Sequence, residues 1–192
     1  MQYICVYCAS STKINPVYFD AAHSLGKIIA DAGLQLVYGG GSVGLMGTIA
    51  DSVMASGGKV TGIIPHFMVE QEWGHHGLTE LIMTETMHER KEKMAMMSDA
   101  VVALPGGCGT LEELLEIITW KQLGIFTKPI IIVNTAGYFD SLIDMLHRAV
   151  KENFMRDIHC DIWSVVDKPE NVMDAIENAP KWDKNVRKFA AI

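Results

Sequence analysis

Short apolar runs alternate with longer amphipathic stretches along almost the whole chain, and this alternation limits the fold more than any single residue does. "YICVYC" (3–8), "LQLVY" (34–38), "KVTGIIP" (59–65), "LIMTE" (81–85), "AVVALP" (100–105), "KPIIIVN" (128–134) and "DIWSVV" (161–166) read as strands. Between them lie helical patterns over 15–33, 44–58, 86–99, 110–124, 138–154 and 169–179. Asn15 caps the first of these, with Pro16 at its first position and Gly33 as its stop. Strands that alternate with helices make a parallel sheet covered on both faces, because each crossover lays a helix on the sheet. The expectation is an α/β chain with a doubly wound, Rossmann-like parallel sheet flanked by helices. Such sheets bind ligands at the carboxyl ends of their strands, so residues just after strands are the candidates for a site. The piece 66–80 is irregular, and the polar tail 180–192 is expected to fray or drape.

A chain of 192 residues suits one compact domain over 1–192, with no repeat or linker. Net charge is −7 and no Lys/Arg run stands out, which argues against nucleic acid as a partner. The apolar runs are far too short to span a bilayer, and the N-terminus lacks the early basic residues of a signal peptide. The expected location is cytoplasmic. The four cysteines show no disulfide framework. Cys5 and Cys8 resemble a redox or metal pair, but their spacing sends them to opposite faces of a strand. His66, His75 and His76 lack convincing metal-ligand spacing, so no metal site is expected.

Three stretches carry chemistry. "YGGGSVGLMG" holds G-x-G-x-x-G at Gly39, Gly41 and Gly44, after a strand and opening a helix. This context suits phosphate at a helix N-terminus. It does not suit a dinucleotide, because the motif follows the second strand and no acid about 20 residues on is placed to grip a ribose. A tight turn that needs glycine is the competing reading. "PGGCGTLEE" is a second Gly-rich turn, with two acids where phosphate is usually held. Thr110 and Glu113 fit a T-x-x-E capping box. They equally fit a split site, in which the turn holds phosphate and an acid faces a neutral or cationic centre. Cys108 sits in this turn, where a helix N-terminus can lower a thiol pKa, but no histidine is adjacent in sequence. "MHERKEK" puts Arg90 and Lys91 at the start of a helix, where basic residues oppose the dipole and need another reason. They form either a solvated face, with Glu89 and Lys93 paired, or an anion clamp. Arg90 could also face Glu113 across a site. Met87, Met94, Met96 and Met97 of the same helix read as core or subunit interface.

These three stretches, in this order and with these gaps, resemble the Lonely Guy (LOG) family of cytokinin riboside 5′-monophosphate phosphoribohydrolases, often labelled lysine decarboxylase-like. The resemblance runs from "VYCASS" to about residue 150, and its hallmark is P-G-G-x-G-T-x-x-E, here Pro105 to Glu113. It implies a modified Rossmann fold, a homodimer, and hydrolysis of the N-glycosidic bond of an adenosine-type 5′-monophosphate to free base and ribose 5-phosphate. Arg90 and Glu113 match its catalytic pair. Glu72 of "VEQEW", Lys91, and Gly107, Cys108, Gly109, Thr110, Leu111 and Glu112 match substrate contacts. Ser10 of "CASS" and Gly39, Gly40 and Gly41 of the first Gly-rich turn join that set. Two departures are Cys108, where many members carry an aromatic residue, and "CASS" in place of "CGSS".

The resemblance gives the acids a chemical purpose. Cleaving an N-riboside bond develops positive charge on the sugar, and a carboxylate there is more useful in the transition state than in the ground state. Thr110 and the N–H groups of Gly107 and Gly109 would hold the phosphate. Glu113 would stabilise the cation or activate water, with Arg90 orienting it or the substrate. No metal or redox cofactor is required. The alternative is a nucleotide or molybdenum-cofactor carrier that does not hydrolyse, since such carriers have similar Gly-rich turns. A PLP-dependent decarboxylase is disfavoured, because no lysine stands in a convincing Schiff-base setting after a strand.

Overall fold

The computed structural model describes residues 1–71 and 73–183. Among these residues seven strands form one sheet in the order β4-β3-β2-β1-β5-β6-β7. They are β1 Tyr3–Tyr7, β2 Gln35–Tyr38, β3 Lys59–Pro65, β4 Glu80–Thr84, β5 Ala100–Ala103, β6 Ile130–Val133 and β7 Ser164–Val166. Every pairing is parallel. The chain steps outward from β1 to β4, then crosses back to lay β5 on the other side of β1, with Val6 opposite both Tyr38 and Val102. The connections that leave β1 and β5 therefore diverge, and a crevice opens between them at the strands' carboxyl ends.

Strand alternation divides the core in two. Ile4 and Val6 of β1 face one way and pack with α1 (Pro16–Asp31), α2 (Gly44–Ala55) and α7 (Val172–Glu177) through residues such as Leu25, Ile49 and Ile176. Cys5 and Tyr7 face the other way, toward α4 (Met87–Met97), α5 (Cys108–Gln122) and α6 (Asp140–Lys151), through Met94, Leu114, Ile117 and Leu146. Cys5 and Cys8 do fall into opposite layers, and burial pushes both thiols far above the ordinary cysteine range. The cap of α1 is the one read from sequence. Asn15 Oδ1 accepts from the Val17 N–H at 3.1 Å, Pro16 opens the helix, and Gly33 turns the chain at φ +69°.

Three expectations need correction. Helix α5 starts at Cys108, two residues before Thr110, with Gly107 as its N-cap. Thr110 is therefore inside the first turn, Glu112 and Glu113 are beyond it, and the capping box is not formed. The piece 66–80 is not wholly irregular, because His66–Glu70 makes a short helix, α3. A 3-10 helix occupies Asp157–Ile162, so β7 begins only at Ser164. The tail as far as Asp183 is docked by Trp182, whose indole N–H donates to the Lys121 carbonyl at 2.6 Å. The rest of the tail, 184–192, lies outside the described residues. No helix among the described residues is long and apolar enough to cross a membrane.

Candidate active site

The crevice between β1 and β5 deepens into a cavity of about 370 Å³. The loop after β1 supplies Ser10 and Ser11 to its wall, the turn after β2 supplies Gly39, and the start of α5 supplies Gly107 through Thr110. Arg90, Glu112 and Glu113 complete the polar lining. Nine residues expected from sequence thus meet here: Ser10, Gly39, Arg90, Gly107, Cys108, Gly109, Thr110, Glu112 and Glu113.

Glu113 and Arg90 form a buried ion pair, with side chains only 10% and 7% exposed. Arg90 Nη1 donates to Glu113 Oε1 at 2.8 Å. Its remaining donors are aimed by the backbone: Nε donates to the Ile63 carbonyl at 3.0 Å and Nη2 to the Gly39 carbonyl at 3.3 Å. The planar guanidinium is therefore held at three points, and the carboxylate follows it. Burial raises the Glu113 pKa above the ordinary glutamate range, and the charge and hydrogen bond of Arg90 offset only part of that effect.

The first Gly-rich turn serves this pair. A Cβ on Gly39 would lie 1.9 Å from Arg90 Nη2, so only glycine lets the guanidinium reach that carbonyl. Gly44, at φ +64°, stands against the backbone of Ser10, where a Cβ would lie 2.4 Å from the carbonyl carbon. Close approach of the Arg90 side chain at Gly39 and of the Ser10 backbone at Gly44 thus explains these two glycines. Gly41 bridges to Gly74, and neither Gly40 nor Gly41 belongs to the cavity wall.

The second Gly-rich turn opens α5. Its N-cap, Gly107, offers no side-chain cap, and the Gly107 carbonyl accepts from the Leu111 N–H at 3.0 Å. The N–H groups of Cys108, Gly109 and Thr110 precede the first intrahelical bond, so they are available to an anion at the cavity's polar end.

Lys91 and Leu111 are directed elsewhere. The Lys91 ammonium lies against Glu112 and Glu116 and is nearly buried. Burial works against its charge, but the two carboxylates outweigh it and raise the pKa. Leu111 lines a shallow neighbouring groove along α5 with Leu115 and Trp120. Glu89 accepts from the Glu85 N–H, and Thr86 caps α4. Glu72 lies outside the described residues.

Sequence reasoning missed the apolar lining: Tyr7, Met46 and Met68, with Met87 and Met94 from the helix read as core or interface. Tyr7 sits at the carboxyl end of β1, and its position beside the crevice was the available signal. His75 stands 3.0 Å from Asp51 and His66 stands 3.6 Å from Glu85. Among the described residues no group of three His, Cys, Asp or Glu side chains could hold a metal.

The family described as "Possible lysine decarboxylase" matches residues 46–176. A cytokinin riboside 5′-monophosphate phosphoribohydrolase of Arabidopsis thaliana is 44% identical over 97% of this chain and 88% of its own. A second Arabidopsis enzyme of that name is 42% identical over 97% of this chain and 86% of its own. This chain belongs to the LOG family. Solved structures show the LOG chain's fold elsewhere as well. The molybdenum cofactor carrier protein of Chlamydomonas reinhardtii superposes with a TM-score of 0.72 at 20% identity, covering 93% of this chain and 97% of its own. The molybdenum cofactor binding protein of Rippkaea orientalis gives 0.69 at 24%, covering 92% and 95%. At that identity the likeness speaks for the fold alone.

Proposed function

We propose that this protein hydrolyses the N-glycosidic bond of adenosine-type nucleoside 5′-monophosphates, AMP or its N6-modified forms, to free base and ribose 5-phosphate. The observation that carries this reading is the position of Glu113. It is a buried carboxylate, fixed by Arg90, one helical turn beyond the N–H groups that open α5. Phosphate bound at Gly107, Gly109 and Thr110 leaves the ribose beside Glu113. As the C1′–N bond breaks, the sugar becomes cationic and Glu113 is the charge that meets it. Water adds its oxygen to C1′ and gives one proton to Glu113, the departing base takes up a proton from solvent, and Glu113 returns its proton to solvent, so that one water is consumed. Arg90 holds Glu113 in line, and its charge favours the carboxylate against the effect of burial.

The base then lies toward Met46, Met68, Met87 and Met94. Thioethers make a soft wall that adapts to an apolar N6 substituent. The family relatives named for cytokinin riboside 5′-monophosphates support that choice. Exposed Met83, Met96 and Leu115, on β4, α4 and α5, support a homodimer through this side of the sheet. A cytoplasmic setting fits the free cysteines.

Free-base release from AMP and from N6-isopentenyl-AMP, followed by chromatography, tests the reaction. Glu113→Gln is expected to lower turnover by about 10²- to 10⁴-fold, the usual weight of a catalytic acid–base group, while nucleotide still binds. Wild-type turnover in that variant would remove Glu113 from the mechanism. Tight binding without release by the wild-type protein would make it a carrier.

A further inference from the structure

The loop that leaves β6 is more tightly built than a surface connection requires. Asn134 follows the strand, and its side chain accepts from the Phe139 N–H and donates to Asp140 Oδ1, both at 2.7 Å. Its own N–H donates to the Val166 carbonyl at 2.7 Å. Between these anchors, Thr135–Gly137 form a 3-10 turn in which Ala136 adopts φ +55°, a left-handed conformation that an L-residue keeps only where its surroundings impose it. The turn delivers Tyr138. Its ring stands edge-on against Tyr18, with centroids 5.7 Å apart, and against Phe139 at 5.1 Å. Its hydroxyl donates to the Gly106 carbonyl at 2.7 Å.

Gly106 belongs to the turn that opens α5, and the Thr110 side chain packs closely against it, because a Cβ there would lie 2.1 Å from Thr110 Oγ1. A trans peptide is planar, and its C=O and N–H point in opposite directions. Fixing the Gly106 carbonyl toward Tyr138 therefore fixes the Gly107 N–H the opposite way. Gly107 lines the cavity and Tyr138 does not. The arrangement has a topological cause. β6 lies beside β5, with Ile132 opposite Ala103, so the loops after the two strands emerge side by side.

We infer that Tyr138 is a positioning residue for phosphate: through the Gly106 carbonyl it aims the Gly107 N–H at the anion held by the start of α5. This rests on the reading of that turn as the phosphate end of the substrate site. Tyr138 is 43% exposed and its ring keeps its aromatic contacts without the hydroxyl, so the bond matters to the turn more than to the fold.

The test is Tyr138→Phe, with Tyr18→Phe as a control that trims the neighbouring ring and leaves the Gly106 bond. Calorimetric titration with ribose 5-phosphate reads the phosphate end without any need for turnover. Steady-state kinetics on AMP or N6-isopentenyl-AMP separate KM from kcat. Tyr138→Phe is expected to weaken ribose 5-phosphate binding and raise KM together by about three- to tenfold, the effect of one hydrogen bond. Its kcat and melting temperature should stay close to wild type, and Tyr18→Phe should change neither affinity. Unchanged affinity in Tyr138→Phe would overturn the inference, as would a loss confined to kcat. If the wild-type protein releases no base but the variant still loses ribose 5-phosphate, the hydrolytic reading fails and the positioning role stands.

Discussion

The two ends of α5 bury lysines in opposite ways. Lys91 packs against the N-terminal half of the helix and is 5% exposed; Lys121, near the C-terminus, is 1% exposed. Glu112 and Glu116 meet the Lys91 ammonium, and its pKa rises despite burial. Lys121 instead lies under the Trp182 ring, 5.9 Å from its centroid, and burial lowers its pKa to about 8. Arg90, beside Lys91, is paired like its neighbour. The same helix thus strengthens a lysine's hold on its proton at one end and weakens it at the other. Burial alone does not mark a functional charge. Nor does a built partner alone, since Lys91 and Arg90 both have one and Arg90 is the one that lines the cavity.

The sharpest way to break this contrast is to strip the paired end. Arg90→Met leaves Glu113 buried without its cation and is expected to cost about 3–5 kcal/mol, measured by urea unfolding, and to abolish most turnover. Adding Glu113→Gln should restore more than half of the lost stability and none of the activity. If the single variant unfolds like wild type, the pair is not the structural unit described here.

A smaller effect follows from pH. Because burial raises the Glu113 pKa, its carboxylate is lost at a higher pH than that of an exposed glutamate. The acidic limb of kcat/KM is therefore expected above the ordinary value of 4.5, with activity falling as pH drops through it. A limb at or below that value would place another group in control.

The smallest effect belongs to the other end. Lys121 holds its proton less tightly in the native state than in the unfolded chain, where lysine titrates near 10.5. Its cost to stability is complete below about 8 and fades as pH rises toward 10.5. Lys121→Met should raise the melting temperature by about 2–4 °C at neutral pH, and the gain should shrink in alkali. A loss at neutral pH would mean that the Trp182 contact outweighs desolvation.

Periodicity revealed most of the fold, because buried parallel strands are short and apolar and their helices are not. The expected strand at 59–65 and the Asn15–Pro16 start of α1 stand where the pattern put them. The start of α5 was misread for a physical reason. T-x-x-E is a strong cap signal, whereas the true cap, Gly107, has no side chain to announce itself. Arg90 was conspicuous because it opposes the helix dipole, and its partners resolve that conflict. Tyr7 and the methionine wall were hidden, since which strand-end and helix side chains enter a cavity depends on packing between distant elements. Tyr138 was hidden for the same reason, 32 residues from the carbonyl it holds.

The central ion pair joins residues only 23 apart in sequence, on the two helices that flank β5. Closing so short a loop costs little chain entropy, so one helix–strand–helix segment carries the pair with it. Connectivity elsewhere is correspondingly free to change. A circular permutant opened in the exposed turn after α6, near Phe154, keeps that segment whole. One opened between β5 and α5 divides the pair between the two ends of the chain, and the sheet must assemble before Arg90 can find Glu113.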